Sequence, residues 1–196
     1  MTVRELIGRL RGAAKIRHVA EDTVLFHRGD APRYIFGVLD GEAMLRRYTA
    51  EGAEVVVHRA RPDSLFAEAA LFSDRYHCDA MARAGSRIVW FPKVKVLRLL
   101  AEDASFAAAF CHRMAAQVQG LRSSLEIRGI RNAEDRIMAA LSLRLADGER
   151  KLDMAGSWKQ FALDIGLTHE ALYRALRRLE HSKRLSRDGL KVTLHT

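Results

Sequence analysis

Apolar residues recur along this chain at two different periods. Between residues 19 and 91 they come in short runs broken by turn residues. Thr23-Val-Leu-Phe26, Tyr34-Ile-Phe-Gly-Val-Leu39, Ala43-Met-Leu45, Glu54-Val-Val-Val57 and Arg87-Ile-Val-Trp-Phe91 read as strands. Arg28-Gly-Asp30, Asp40-Gly41, Glu51-Gly52 and Arg61-Pro-Asp63 read as the turns between them. Many short strands at this spacing predict a barrel or jelly roll. Pro92 then opens a helix, since proline is tolerated in a first turn. From about 104 to 130 the period is helical. Phe110, Met114, Val118, Leu121 and Leu125 recur at spacings of three and four, the pattern of a coiled-coil seam. A helix of this length between two domains is expected to dimerise. Residues 1–18 read as a short basic amphipathic helix. The pattern predicts an α+β chain with boundaries at 1–103 (β-roll), 104–131 (dimerisation helix) and 132–196 (a mostly helical C-terminal domain).

The last forty residues carry the sharpest local signals. Asn132-Ala-Glu-Asp135 caps the helix that opens the C-terminal domain. Ser157-Trp-Lys-Gln160 is a capping-box pattern, in which the Ser hydroxyl takes the Gln160 N–H and the Gln160 side chain reaches back. Gly166 is placed to stop that helix in the left-handed conformation. Thr168 caps a second helix from His169 to about His181. Two helices joined by so short a Gly-containing turn predict helix-turn-helix. Leu172, Leu176 and Leu179 should face the core, and His169, Glu170, Tyr173, Arg174 and Arg177 the opposite side. That outer face suits a DNA major groove. Arg pairs with guanine O6 and N7, and Glu accepts from cytosine N4. Glu170 and Arg174, four apart, point the same way. Lys159 and Thr168 sit at helix starts, where phosphate contacts are usual. The competing reading is a solvated charged face with an ordinary i,i+4 ion pair. Beyond the helix, a hairpin around Asp188-Gly189 would form a wing, with Arg187 and Lys191 near phosphate.

Composition narrows the partners. There are 33 Lys and Arg against 24 Asp and Glu, for a net charge of +9, which favours a polyanionic partner through counterion release. The first residues lack the apolar core of a signal peptide and no apolar run reaches transmembrane length, so a cytoplasmic chain away from membranes is expected. The two cysteines are far apart in sequence and make no disulfide framework.

Taken in order, these motifs resemble the Crp/Fnr family of bacterial transcription regulators. Phe26-His-Arg-Gly-Asp30 with Tyr34-Ile-Phe-Gly-Val-Leu-Asp-Gly41 resembles the start of the cyclic-nucleotide-binding roll. Asp63-Ser-Leu-Phe-Ala-Glu68-Ala-Ala-Leu-Phe72 resembles its phosphate-binding cassette, and Arg136-Ile-Met-Ala-Ala-Leu141 the entry to the DNA-binding domain. Thr168-His-Glu170-Ala-Leu-Tyr-Arg174 resembles the recognition helix. The resemblance implies a sensor β-roll, a C-terminal winged helix-turn-helix and a homodimer on a palindromic double-stranded operator. It also implies RNA polymerase as a partner and half-sites roughly 34–36 Å apart.

The departures from the family pattern concern what is sensed. The cassette's Gly-Glu position reads Ala67-Glu68, and the Arg-Ser position that holds a cyclic phosphate reads Cys78-Asp79. A carboxylate repels an anion, and no Arg clamp remains there. Leu121 stands where a hydroxyl would meet the adenine. The effector is therefore expected not to be cyclic AMP, with Glu68, His77, Cys78, Asp79 and Leu121 as pocket candidates. No cysteine precedes Cys78, so the N-terminal ligand set of an iron–sulfur cluster is missing. His77-Cys78 and Cys111-His112 are left as candidate haem or metal ligands, or as redox thiols. His77 aligns with a haem-ligating histidine of the carbon-monoxide-sensing members, but Arg75 replaces their cysteine ligand. In the competing reading these residues fill a turn, a strand and a seam, and adjacent strand residues point to opposite faces. The cofactor stays open. A Cys78 nucleophile with His77 or His58 as base would make an enzyme. No orienting third residue accompanies them, so no enzyme is expected.

Overall fold

The computed structural model describes residues 1–10, 12–145, 148–154 and 156–195. Residue 11 of the expected 1–18 helix, and residue 196 at the end of the expected C-terminal domain, lie outside the described residues. The chain divides into two compact units, Met1–Arg113 and Met114–Thr196.

In the first unit, helix α1 (Val3–Arg9) starts at a capping box. Thr2 Oγ1 accepts from the Glu5 N–H at 3.1 Å, and the Glu5 carboxylate accepts from the Thr2 N–H at 2.8 Å. The expected helix over 1–18 is thus only seven residues long. Gly12 takes φ +85°, and the basic segment beyond it forms strand β1 (Lys15–His18). Pairing with another strand overrides a helical pattern that had no tertiary partner to consult.

The strands are β2 (Thr23–Phe26), β3 (Tyr34–Asp40), β4 (Ala43–Tyr48), β5 (Glu54–Ala60), β6 (Leu65–Phe66), β7 (Asp79–Ala82) and β8 (Arg87–Pro92). They make two antiparallel four-stranded sheets, ordered β1-β8-β3-β6 and β2-β7-β4-β5. Two such sheets face to face are the β-roll that the apolar runs predict. Its interior is aromatic. Phe26 stacks on Tyr76 with centroids 3.7 Å apart, Phe36 stacks on Phe66 at 5.2 Å, and Trp90 meets Phe36 edge-on at 5.6 Å. One turn depends on glycine. Gly41 has φ +78°, and a Cβ there would overlap the buried Ser86. The Ser86 hydroxyl in turn accepts the Glu42 N–H at 3.0 Å, closing the β3–β4 turn.

Helix α2 (Lys93–Glu102) follows Pro92, and helix α3 runs from Ala104 to Gly129. The division between the units falls inside α3.

The second unit holds α4 (Ala133–Ser142), β9 (Lys151–Asp153), α5 (Trp158–Asp164), α6 (His169–His181), β10 (Leu185–Asp188) and β11 (Lys191–Leu194). The strands order as β10-β11-β9. Its core gathers Ile137, Leu141, Phe161, Leu172, Leu176, Leu179, Leu185 and Val192. This is a winged helix-turn-helix with a third strand, β9, that the apolar pattern does not announce.

Candidate nucleic-acid interface and sensor region

Helices α5 and α6 are fixed at their starts by side chains read from the sequence. Ser157 Oγ accepts from the Gln160 N–H at 3.2 Å, and Thr168 Oγ1 from the Ala171 N–H at 3.1 Å. The reciprocal half of the expected capping box is absent. Gln160 Nε2 donates forward to Asp164 Oδ1 at 2.8 Å, a same-face partner one turn on. Gly166 adopts φ +69° in the turn. Arg136, inherited from α4, donates to the carbonyls of Ile130 at 2.7 Å and Gly166 at 3.2 Å, which ties the turn to the rest of the unit. Asn132 accepts from the Glu134 and Asp135 N–H groups at the start of α4.

The two faces of α6 separate as its spacing predicts. Leu172, Leu176 and Leu179 have no exposed surface. His169, Glu170, Tyr173, Arg174 and Arg177 line one shallow depression on the other side, with all but the half-buried Tyr173 exposed. Thr168 and Lys159 are exposed at their helix starts. Three other arginines of the unit are in ion pairs: Arg178 lies 3.7 Å from Glu134, Arg184 3.3 Å from Asp135, and Arg187 2.7 Å from Glu180. Among the described residues, none of Lys159, Glu170, Arg174 and Arg177 is in an ion pair. The ordinary i,i+4 pair between Glu170 and Arg174 is therefore not formed.

The wing turns one residue later than expected. Asp188 pairs with Lys191, so Gly189 and Leu190 make the two-residue loop, with Gly189 at φ +58°. Arg187, expected at phosphate, points into the unit. Its guanidinium lies 5.5 Å from the Trp158 ring and 5.3 Å from the Tyr173 ring, while Glu180 holds it by an ion pair. Trp158 was not singled out by its sequence, where it reads only as a helix-start residue. It is buried, and its indole N–H donates to the Gly189 carbonyl at 2.9 Å. Lys191 is exposed beside the loop.

In the β-roll, the cassette position begins at β6 and continues through Ala67, at φ 60°, into a short 3-10 helix over Glu68–Phe72. Asp79 is already engaged. Its Oδ1 accepts from the Arg28 N–H at 2.8 Å and lies 3.3 Å from His27 Nδ1. Half-buried Cys78 lies inside the roll, where burial pushes its thiol up, against the pull of Arg47. A thiol held protonated is a poor nucleophile. His77 is exposed, with Nε2 3.2 Å from Ser73 Oγ. Cys111 and His112 are exposed on α3. Among the described residues, no three His, Cys, Asp or Glu side chains gather closely enough to hold a metal ion.

His58, half-buried in β5, is perturbed by its surroundings. Burial lowers its pKa, with the Glu68 carboxylate pulling the other way. A histidine kept neutral in the folded state adds stability above the ordinary imidazole value of about 6.5, and that stability is lost as pH falls below it. The first unit should therefore melt at progressively lower temperature from pH 7 to pH 5. His58→Gln should flatten that slope, and an unchanged slope would show that His58 is not its source.

On α3, Val118, Leu121 and Leu125 are 45%, 56% and 70% exposed in the single chain, and Met114 is half-buried. Phe110, expected in the same seam, is instead only 5% exposed, with its ring 6.0 Å from buried Phe106. It lies in the part of α3 that belongs to the first unit, so the helical period there serves that unit's core and not a seam.

A β-roll with a cassette-like turn, followed by a long helix and a winged helix-turn-helix, defines a two-part fold class. Residues 16–103 match the cyclic nucleotide-binding domain family. Solved structures align with nearly the whole chain. FixK2 from Bradyrhizobium japonicum is 18% identical with a TM-score of 0.68, covering 93% of each chain. CprK complexed with OCPA is 18% identical with a TM-score of 0.75, covering 100% of this chain and 92% of its own. The c-di-GMP responsive global regulator CLP of Xanthomonas campestris is 19% identical with a TM-score of 0.63, covering 98% of this chain and 99% of its own. No curated protein sequence matches the chain. The fold is thus that of the Crp/Fnr regulators, as the motifs imply. Among the described residues no helix is long and apolar enough to cross a membrane.

Proposed function

We propose that the chain is a sequence-specific DNA-binding transcription regulator of the Crp/Fnr type, acting in the cytoplasm as a homodimer on a palindromic operator. The observation that carries this reading is that, among the described residues, Glu170, Arg174 and Arg177 on the outer face of α6 are in no ion pair, while Arg178, Arg184 and Arg187 each are. A charged face of merely structural use would satisfy itself locally, as Arg178, Arg184 and Arg187 do. Recognition helices place their N-terminal residues against base edges, where Arg reads guanine and Glu reads cytosine. Lys159, Thr168 and Lys191 take phosphate, and RNA polymerase is the downstream partner. Glu170→Ala or Arg174→Ala should cost about 1–3 kcal/mol per half-site at the cognate base pair and relax specificity there. Equal loss on operator and scrambled DNA in a binding titration would overturn the assignment.

The effector is not cyclic AMP in this reading. The Asp79 carboxylate occupies the phosphate-clamp position and is bonded to the 27–30 loop, and rings of Phe26, Phe36, Phe66 and Tyr76 fill the roll. Whatever effector acts must bind one arrangement of the two units better than another. The chain acts through binding and not through catalysis.

A further inference from the structure

The outer face of α6 carries one feature that charge reading leaves unused. His169 and Tyr173 are four apart, and their rings pack at a centroid distance of 4.5 Å, tilted by 53°. Tyr173 is also held from beneath. The Arg187 guanidinium lies 5.3 Å from its ring, and Arg187 is itself fixed by the Glu180 carboxylate at 2.7 Å and by the Trp158 ring at 5.5 Å. Trp158 is pinned to the wing through the Gly189 carbonyl. The ring is thus clamped by α5, α6 and the wing together, and lies in the same depression as Glu170 and Arg174. A ring fixed on a reading face, rather than free to rotate, is a preorganised contact.

The chemistry of the groove then selects what such a ring can meet. Donor and acceptor patterns distinguish the four base pairs, and polar readers serve them. The one apolar group that the major groove presents is the C5-methyl of thymine. We infer that Tyr173, backed by His169, is a specificity-determining residue that packs on a thymine methyl beside the base pairs read by Glu170 and Arg174, and that Arg187 is its positioning residue rather than a phosphate contact. The inference rests on the DNA-binding reading above and names the base pair that this reading leaves open.

The test uses the full-length chain and an operator selected from a random DNA pool. Each thymine of the half-site is then replaced by uracil, which keeps every hydrogen-bonding group and removes only the methyl. One thymine per half-site should show a penalty of about fourfold, the worth of one buried methyl group. Changing it in both half-sites should cost about fifteenfold, the product of the two. Tyr173→Ala should bind the thymine and uracil operators equally while keeping its preference at the Glu170 and Arg174 positions. Arg187→Gln should shrink the uracil penalty and leave the salt slope of binding unchanged, whereas a phosphate contact would lower that slope by about one. A uracil penalty that persists in Tyr173→Ala overturns the inference, as does a half-site in which no thymine is sensitive. A wild-type chain that selects no sequence at all overturns the DNA-binding reading itself, a result the uracil series cannot produce.

Discussion

Replacing Leu121 and Leu125 together by aspartate is expected to yield a folded monomer that binds operator DNA about two to four orders of magnitude more weakly. Both positions are more than half exposed in the single chain, so their substitution removes little buried area and leaves each unit's core intact. Val118, Leu121 and Leu125 recur at three and four residues, and such a stripe stays wet unless a second helix covers it. Four carboxylates introduced across a pair of facing helices would repel at short range in a dry seam. The DNA effect is larger than the dimer interface alone would suggest. Two linked winged units make the second half-site contact intramolecular, and losing that linkage forfeits a factor of about 10² to 10⁴. Sedimentation at matched concentrations reads the first part, and a binding titration at one fixed salt concentration reads the second. A dimer that survives the double substitution would show that α3 is not the seam.

The sequence made the two-unit plan legible because each half has its own period. Strands β2, β3 and β8 begin where apolar runs begin, since Thr23, Tyr34 and Arg87 follow polar breaks. Caps at Asn132, Ser157 and Thr168 were readable for the same reason: each is a local hydrogen bond between residues two or three apart. What stayed hidden depends on partners distant in sequence. β1 looks helical until Lys15–His18 meets β8, seventy residues on. β9 has three residues and no apolar alternation, and exists only because β11 pairs with it. Helix α6 ends at His181, with Ser182 as its C-cap and Lys183 in the left-handed region, at φ 56°, where a glycine would have been the signal.

The candidate site shows the same division. The outward set on α6 follows from helical spacing, so His169, Glu170, Tyr173, Arg174 and Arg177 come out together. Arg187 does not follow from spacing. A basic residue on a wing strand suggests phosphate, and nothing local reveals that Glu180, Trp158 and Tyr173 converge on it. The sensor candidates rest on likeness to a cassette whose key positions this chain has changed. That route could locate Asp79 but not its hydrogen bond to the 28 amide, which is a contact across fifty-one residues.

Phe36→Ala should be the most damaging single change in the first unit, lowering its stability by about 3–5 kcal/mol. Phe36 is 1% exposed and touches four rings: Phe26, Tyr34, Phe66 and Trp90, at centroid distances of 5.2 to 6.5 Å. Those neighbours come from β2, β3, β6 and β8, so no single strand can shift to refill the space. The loss therefore includes a cavity term as well as the transferred area. Against a domain stability of about 5–15 kcal/mol it is a large fraction. The two tryptophans make the effect separable, because Trp90 lies in the first unit and Trp158 in the second. In a Trp158→Phe background, Trp90 emission should report a transition shifted far downward by Phe36→Ala. In a Trp90→Phe background, the Trp158 transition should stay where it was. Phe72→Ala supplies the contrast: the same side chain, 78% exposed, should change stability by no more than about 0.5 kcal/mol. A shift below about 1 kcal/mol for Phe36→Ala would mean that the roll can collapse onto the missing ring, and the aromatic interior would then be a fluid filling and not the fixed wall on which the sensor reading depends.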